Sequence, residues 1–150
     1  MKAVIQRVKY ASVTVDGNKI ADIQNGILLL LGVAENDSKE DINWLSKKIA
    51  NLRIFNDEND VMNKSLIDIN GEVIVVSQFT LQASTKKGNR PSYLKAAKPE
   101  IAIPIYQEFI HQFETEIGRK VQTGEFGADM KVELLNDGPV TSIIDTEIKI

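Results

Sequence analysis

Two hydrophobic rhythms alternate along this chain. In "ASVTVDG", Val13 and Val15 alternate with Thr14 and Asp16, the period of a strand covered on one face. "AVIQRV" before it also reads as a strand, "DGNK" is a hairpin signal, and "IADI" is the return strand. "GILLLLGVA" is apolar on both faces and predicts a central strand covered from two sides. Then the period lengthens. In "SKEDINWLSKKIANLRIF", Ile42, Leu45, Ile49 and Leu52 recur at helical spacing, and Ser38 with Asp41 three residues on predicts a capping box.

After the loop "NDENDVMNKS", the segment "LIDI", a turn at Asn70-Gly71, and "EVIVVSQFTL" predict a second hairpin. A second helix carries Ile105, Phe109, Phe113 and Ile117, starts at Pro99 or Pro104 and stops at Gly118. "KVELL" and "PVTSIIDTEI" predict strands on either side of a turn at "NDGPVT". Mostly strands with two helices predict the α+β class: a small curved, barrel-like sheet covered by two helices. With no repeat, linker or low-complexity tract, residues 1–150 are expected to form a single domain.

Composition narrows the chemistry. The absence of cysteine excludes a disulfide framework and a thiol nucleophile, and the single histidine, His111, excludes clustered Cys/His metal sites. There is no glycine-rich phosphate cradle and no "GxSxG", and no cofactor or metal is expected. The carboxylates Asp57, Glu58 and Asp60 lack the spacing of a calcium loop and read as a solvated turn. The start has no apolar leader, and the longest apolar run, Ile27 to Ala34, is far short of a membrane span of about 20 residues. A soluble cytoplasmic protein with no membrane partner is expected. The net charge of −3 gives no global pull toward nucleic acid but leaves room for a local basic patch.

Three stretches can carry chemistry. "SQFT", Ser77 to Thr80, ends the apolar strand "VIVV" and reads either as a site or as a strand leaving the core. Ser77 and Thr80 are possible nucleophiles, but a hydroxyl needs a base. No Lys, Asp or Glu lies within "VVSQFTLQAS", and His111 reads as a solvated helix residue, so a Ser-His-Asp triad fits poorly. "TKKGNRPSYLKAAK" carries Lys86, Lys87, Arg90, Lys95 and Lys98 around Tyr93 with no acid, which suits phosphates and a stacked base, or else a solvated loop. "NDGPVT" is, on local chemistry, a turn.

Together these stretches resemble one family, the D-aminoacyl-tRNA deacylases of the bacterial and eukaryotic type. The resemblance spans "IQRVKYASVTVDG", "GILLLLGV", "NLRIF", "VVSQFTL", "GNRPSY", "TGEFGADM" and "NDGPVT". "SQFTL" and "NDGPVT" look like the family's signature motifs, and their joint occurrence in this order is specific. The tail "SIIDTEIKI" matches less closely. The resemblance implies hydrolysis of the ester between a D-amino acid, or mischarged glycine, and the 3′-terminal adenosine of tRNA, with L-aminoacyl-tRNA spared. It implies a barrel-like α+β homodimer with sites at the interface. It implies a cis Gly-Pro bond at Gly138-Pro139 reaching into the partner's site, with Arg7 holding that loop. Ser77, Gln78, Phe79 and Thr80 would line the catalytic pocket, and Lys86, Lys87 and Arg90 would face tRNA. The expected partners are aminoacyl-tRNA and a second copy, not DNA.

An aminoacyl ester is already activated, so it needs positioning and oxyanion stabilisation more than a strong nucleophile. The expectation is substrate-assisted hydrolysis, with the N–H groups of Phe79 and Thr80 on the oxyanion and Thr80 aligning groups; Thr80 as nucleophile is the competing mechanism. Competing functions are an RNA-binding module without catalysis, a small-ester hydrolase using Thr80 or Ser77, and a structural dimer whose "NDGPVT" is only a turn.

Overall fold

The computed structural model describes residues 1–150. Strand β1 (Lys2–Val15) runs unbroken where two strands were expected. A two-residue turn at Asp16-Gly17, both with positive φ, returns the chain into β2 (Asn18–Ile23). Strand β3 (Gly26–Gly32) pairs antiparallel with the first half of β1. Helix α1 (Lys39–Asn51) follows, and at its start the Asp41 carboxylate accepts the Ser38 N–H at 2.8 Å. Burial by itself would raise the pKa of Asp41, but hydrogen bonds from Thr146 and Ser38 outweigh it and hold the group below the ordinary aspartate value.

Next come the short pair β4 (Phe55–Asn56) and β5 (Met62–Lys64), helix α2 (Leu66–Ile69), and strand β6 (Glu72–Ser77). Here the expected second hairpin fails. "LIDI" is a turn of helix, because Ser65 and Asp68 cap it reciprocally: the Ser65 N–H donates to Asp68 at 2.8 Å and the Asp68 N–H to the Ser65 hydroxyl at 3.1 Å. Strand β6 then lies parallel to β3, with α1 in the crossover. The strand expected through Leu81 stops at Ser77, and Phe79–Gln82 forms a 3₁₀ turn. Helix α3 (Pro99–Ile117) starts at Pro99, carries Pro104 inside its second turn, and ends at Gly118. Strand β7 (Gln122–Thr123) adds to β6, and β8 (Lys131–Asp145) pairs with β1 along its length.

The sheet order β2-β1-β3-β6-β7, with β8 on the other edge of β1, makes a nearly closed barrel-like α+β fold. Three helices cover it, one more than expected, because α2 replaces a strand. Alternation divides the core between two faces. Ile27, Leu29, Leu31, Val73 and Val75 pack with Ile42, Leu45, Ile49, Phe109 and Phe113 between sheet and helices. Leu28, Ile74 and Val76 join Val8, Val13 and Ile23 on the opposite face, inside the curve. The Tyr106 hydroxyl donates to the Val75 carbonyl at 2.9 Å, and burial pushes its pKa upward. No helix is long and apolar enough to cross a membrane.

Residue 26 must be glycine because β3 and β6 approach there without room for a side chain. A Cβ on Gly26 would lie 1.8 Å from the Glu72 carbonyl oxygen. Gly26→Ala is expected to destabilise the fold by about 3 kcal/mol or more, since only backbone displacement relieves the overlap. Urea denaturation checks this; a midpoint within error of the unsubstituted chain would refute it.

Candidate functional site

Alternation places Val76 in the interior face of β6, so Ser77 is the first residue to leave it, and its neighbour on β3 is Leu31. The Gln78 N–H still bonds the Leu31 carbonyl at 2.8 Å, which fixes where the 3₁₀ turn begins. The first bond inside that turn runs from the Leu81 N–H to the Gln78 carbonyl at 3.2 Å. The N–H groups of Phe79 and Thr80 open the turn and have no acceptor within it. Gln82 is buried and anchors the turn by donating to the Gly32 carbonyl at 2.8 Å.

Thr80 has one side-chain partner, the Gln78 carboxamide, which donates to its hydroxyl. A carboxamide takes no proton near neutral pH, so the side chain bonded to Thr80 cannot act as its base. Ser77, Gln78 and Phe79 line a cavity of about 250 Å³ whose far wall is Phe126, Gly127, Ala128, Asp129 and Met130. That wall belongs to "TGEFGADM", where charge and periodicity marked no site; only its match to the resembled family singled it out.

The basic loop follows directly. Ser84 and Ser92 exchange backbone hydrogen bonds at 2.8 Å, closing a loop that carries exposed Lys86, Lys87 and Arg90. The ring of Tyr93 meets Phe79 edge-on at 5.2 Å between centroids. Phe79 is 54% exposed, so an aromatic face beside the cavity is open to a ligand.

"NDGPVT" corrects the local reading. It is not a turn between two strands: β8 runs through it, and the register against β1 shifts between Gln6 and Val8, so the stretch is a bulge within one strand. The Gly138-Pro139 bond is cis, both residues are exposed, and Gly138 has φ +119°. A Cβ at Gly138 would lie 2.9 Å from Arg7 Nη2. Arg7 is 8% exposed, too buried for an unpaired guanidinium. Its Nε donates to the Asp137 carbonyl at 3.2 Å and lies 3.3 Å from the Asp137 carboxylate. Its Nη1 donates to the Ile54 carbonyl at 2.8 Å and to Asn56 at 3.3 Å.

Asn136 is a residue the sequence did not single out. Its Nδ2 donates to the carbonyls of Arg7 and Val140, both at 3.1 Å, and its oxygen accepts the Thr141 hydroxyl at 3.2 Å. The amide thus closes the bulge across its base; an Asn opening a turn-like run was the available signal. Arg7, Asn56 and Asp137 also line a cleft of about 400 Å³ on this side. Within the chain, then, Ser77 to Thr80 and the basic loop come together, as do Arg7, Gly138 and Pro139. The two groups line different cavities: Arg7 and Asp137 the cleft, and Ser77 to Phe79 the other, which β8 reaches only through Val132.

The sequence profile of the family described as D-Tyr-tRNA(Tyr) deacylase matches residues 4–145. The chain belongs to that family. Among its relatives, the D-aminoacyl-tRNA deacylase of Flavobacterium psychrophilum is 70% identical over 149 residues, 99% of each chain. That of Bacteroides fragilis (strain YCH46) is 64% identical, again over 99% of each. The deacylase fold recurs in the solved c-Myc DNA Unwinding Element Binding Protein, at TM-score 0.91 and 42% identity over 97% of this chain and 98% of that one. It recurs in a structure described as a "probable eukaryotic D-amino acid tRNA deacylase", at TM-score 0.82 and 15% identity over 95% of this chain and 97% of that one.

Two outcomes test this geometry in the deacylase chain. Asn136→Ala is expected to cost about 1–2 kcal/mol, because the Val140 and Arg7 carbonyls lose a shared donor. Amide exchange at Asp137 and Gly138 is expected to quicken; unchanged exchange would show that Asn136 does not hold the bulge. The loop beside the Arg7 cleft gives a pH test. Asp57 lies below the ordinary aspartate value because the N–H groups of Val61 and Asn59 bond its charged form. A depressed carboxylate stabilises its loop fully above the unfolded value, about 3.9, and loses that as pH falls through the lower folded value. Protection of the Asn59 and Val61 amides is therefore expected at pH 5 and lost only below about 3.9; loss already at pH 5 would refute it.

Proposed function

We propose that this chain is a D-aminoacyl-tRNA deacylase acting at Ser77 to Thr80. It hydrolyses the ester between a D-amino acid, or mischarged glycine, and the 3′-terminal adenosine of tRNA, and it spares L-aminoacyl-tRNA. The observation that carries this reading is the identity of 70% across 99% of both chains to a protein of that name. The chain would act in the cytoplasm as one domain, residues 1–150, paired with a second copy.

The chemistry follows from what Thr80 lacks. With a carboxamide as its side-chain partner, its hydroxyl is a poor nucleophile but can still donate a hydrogen bond. Water adds to the ester carbonyl, the oxyanion is met by the Phe79 and Thr80 N–H groups, and the 3′-oxygen of the ribose leaves with a proton. The vicinal ribose hydroxyl orients the water. Fixed donors aimed at developing charge are the largest single source of catalysis in such reactions. Phe79 and Tyr93 offer a face for the adenine, and Lys86, Lys87 and Arg90 face the adjoining phosphates.

Chirality requires a rigid obstacle, because enantiomers carry the same groups. Gly138 and Pro139 supply it from the partner subunit. Their exposure supports this, as do the apolar side chains Leu135 and Ile143 left exposed on β8. Arg7 and Asn136 make the bulge stiff enough to reject a side chain. Glycine has none to reject, so glycyl-tRNA is cleaved as well.

Deacylation of D- and L-tyrosyl-tRNA, side by side, tests the function; equal rates on both, or none on the D form, would overturn it. Gly138→Ala is expected to change the D/L ratio at least tenfold, about 1.4 kcal/mol, by pushing the bulge off Arg7. An acyl adduct trapped on Thr80 would overturn the mechanism but not the activity. A second reading, nucleic-acid binding without catalysis, has behind it the basic loop and the name of the 42% identical c-Myc DNA Unwinding Element Binding Protein. It predicts retention of tRNA with no free amino acid released.

A further inference from the structure

A groove of about 450 Å³, separate from both clusters above, lies along α1 and the segment after it. Trp44, Lys47, Lys48, Asn51, Leu52 and Arg53 line it. Trp44 is half-buried, with its inner side against the helix–sheet core. Two ammonium groups sit over its ring: Lys48 Nζ at 5.6 Å from the centroid and Lys149 Nζ at 5.3 Å. Lys149 arrives from the opposite end of the chain. The tail is pinned by buried Thr146, whose N–H bonds the Met1 carbonyl at 2.9 Å. It then folds into a turn in which Asp145 and Ile150 exchange backbone hydrogen bonds, and Lys149 is held at φ +55°.

The groove is positive because its cations form no ion pair. No carboxylate oxygen lies within 4 Å of Lys47, Lys48, Arg53 or Lys149. The helix positions that would hold a pairing acid, four residues to either side of Lys47 and Lys48, are Asn43, Trp44, Asn51 and Leu52. Attraction to an aromatic face places an ammonium without cancelling its charge. Arg53 is fixed through Nε, which donates to the Asn63 carbonyl at 3.0 Å. In a chain of net charge −3 this is a local inversion of sign. An open groove edged by cations without ion pairs suits an extended polyanion, which gains affinity by releasing counterions.

We propose that this groove binds the sugar–phosphate backbone of the tRNA, away from the ester. The inference rests on the deacylase reading. Helix α1 starts after β3, whose last residues adjoin Ser77, and Lys47 to Asn51 lie about 12–18 Å along it. The groove therefore meets the RNA away from its 3′ end and contributes to binding, not to chemistry.

Trp44 is the only tryptophan, so its emission reports occupancy directly. The triple variant Lys47→Ala/Lys48→Ala/Lys149→Ala removes exposed side chains with no ion pairs. Fluorescence anisotropy with an uncharged, dye-labelled tRNA transcript is expected to show affinity about tenfold weaker at 0.15 M salt, with the log–log salt slope shallower by about 2. For D-tyrosyl-tRNA hydrolysis, KM is expected to rise by a similar factor with kcat unchanged. Transcript binding is expected to alter Trp44 emission. A charge-matched control, Lys19→Ala/Lys64→Ala/Lys131→Ala, is expected to keep the original slope within about 0.5. Unchanged slope in the first variant, or an equal loss in the control, overturns the groove. A chain that binds the transcript through the groove but releases no amino acid from D-tyrosyl-tRNA overturns the deacylase reading and leaves the groove standing.

Discussion

β3 and β6 are apolar on both faces, and burying both faces is the constraint from which the architecture follows. Leu29 and Val75 need helices above them; Leu28 and Ile74 need strands curling beneath. A parallel pair covered on both sides requires a crossover, which α1 provides, and a curved sheet, which β1 and β8 provide. The site is where this burial ends. Once Val76 has been covered, the chain must turn out at Ser77, and the 3₁₀ turn that follows leaves two N–H groups without acceptors. The catalytic candidate is thus a by-product of how a doubly buried strand stops.

The second element is a bulge, and its stiffness depends on one buried cation. Arg7 sits on β1, where alternation would put an apolar residue, and its guanidinium is tied to Asp137, Ile54 and Asn56. It joins the strand, the segment after α1 and the bulge. Asn136 closes the same bulge from the other side. Breaking one arm of such a network strands the remaining polar atoms, which makes its geometry costly to deform. The role proposed for this bulge, exclusion of one enantiomer, needs that stiffness more than contacts with a ligand.

Much of this was legible beforehand. Alternation and helical spacing located β2, β3, α1 and α3, and the cap at Ser38 was readable because its partner is three residues away. "LIDI" was misread because Ile and Leu suit a strand as well as a helix; the deciding signal, Ser65 with Asp68, was present and of the kind already recognised at Ser38. "NDGPVT" was misread for a different reason. Turn-forming residues specify local backbone, but whether the chain reverses depends on the partner strand, and β1 holds β8 straight on both sides of the bulge.

The sequence alone determined the covered strands, the two long helices, the lack of a base within "VVSQFTLQAS", and the resemblance that named the family. These depend on composition and short-range spacing, which fold with any neighbour. Tertiary structure decided the rest. It brought the Phe126 to Met130 wall opposite Ser77, paired Arg7 with a bulge 130 residues away, and carried Lys149 onto Trp44. Those pairings join positions whose separation along the chain carries no periodic signal, so only the packing of the two faces of the sheet could set them.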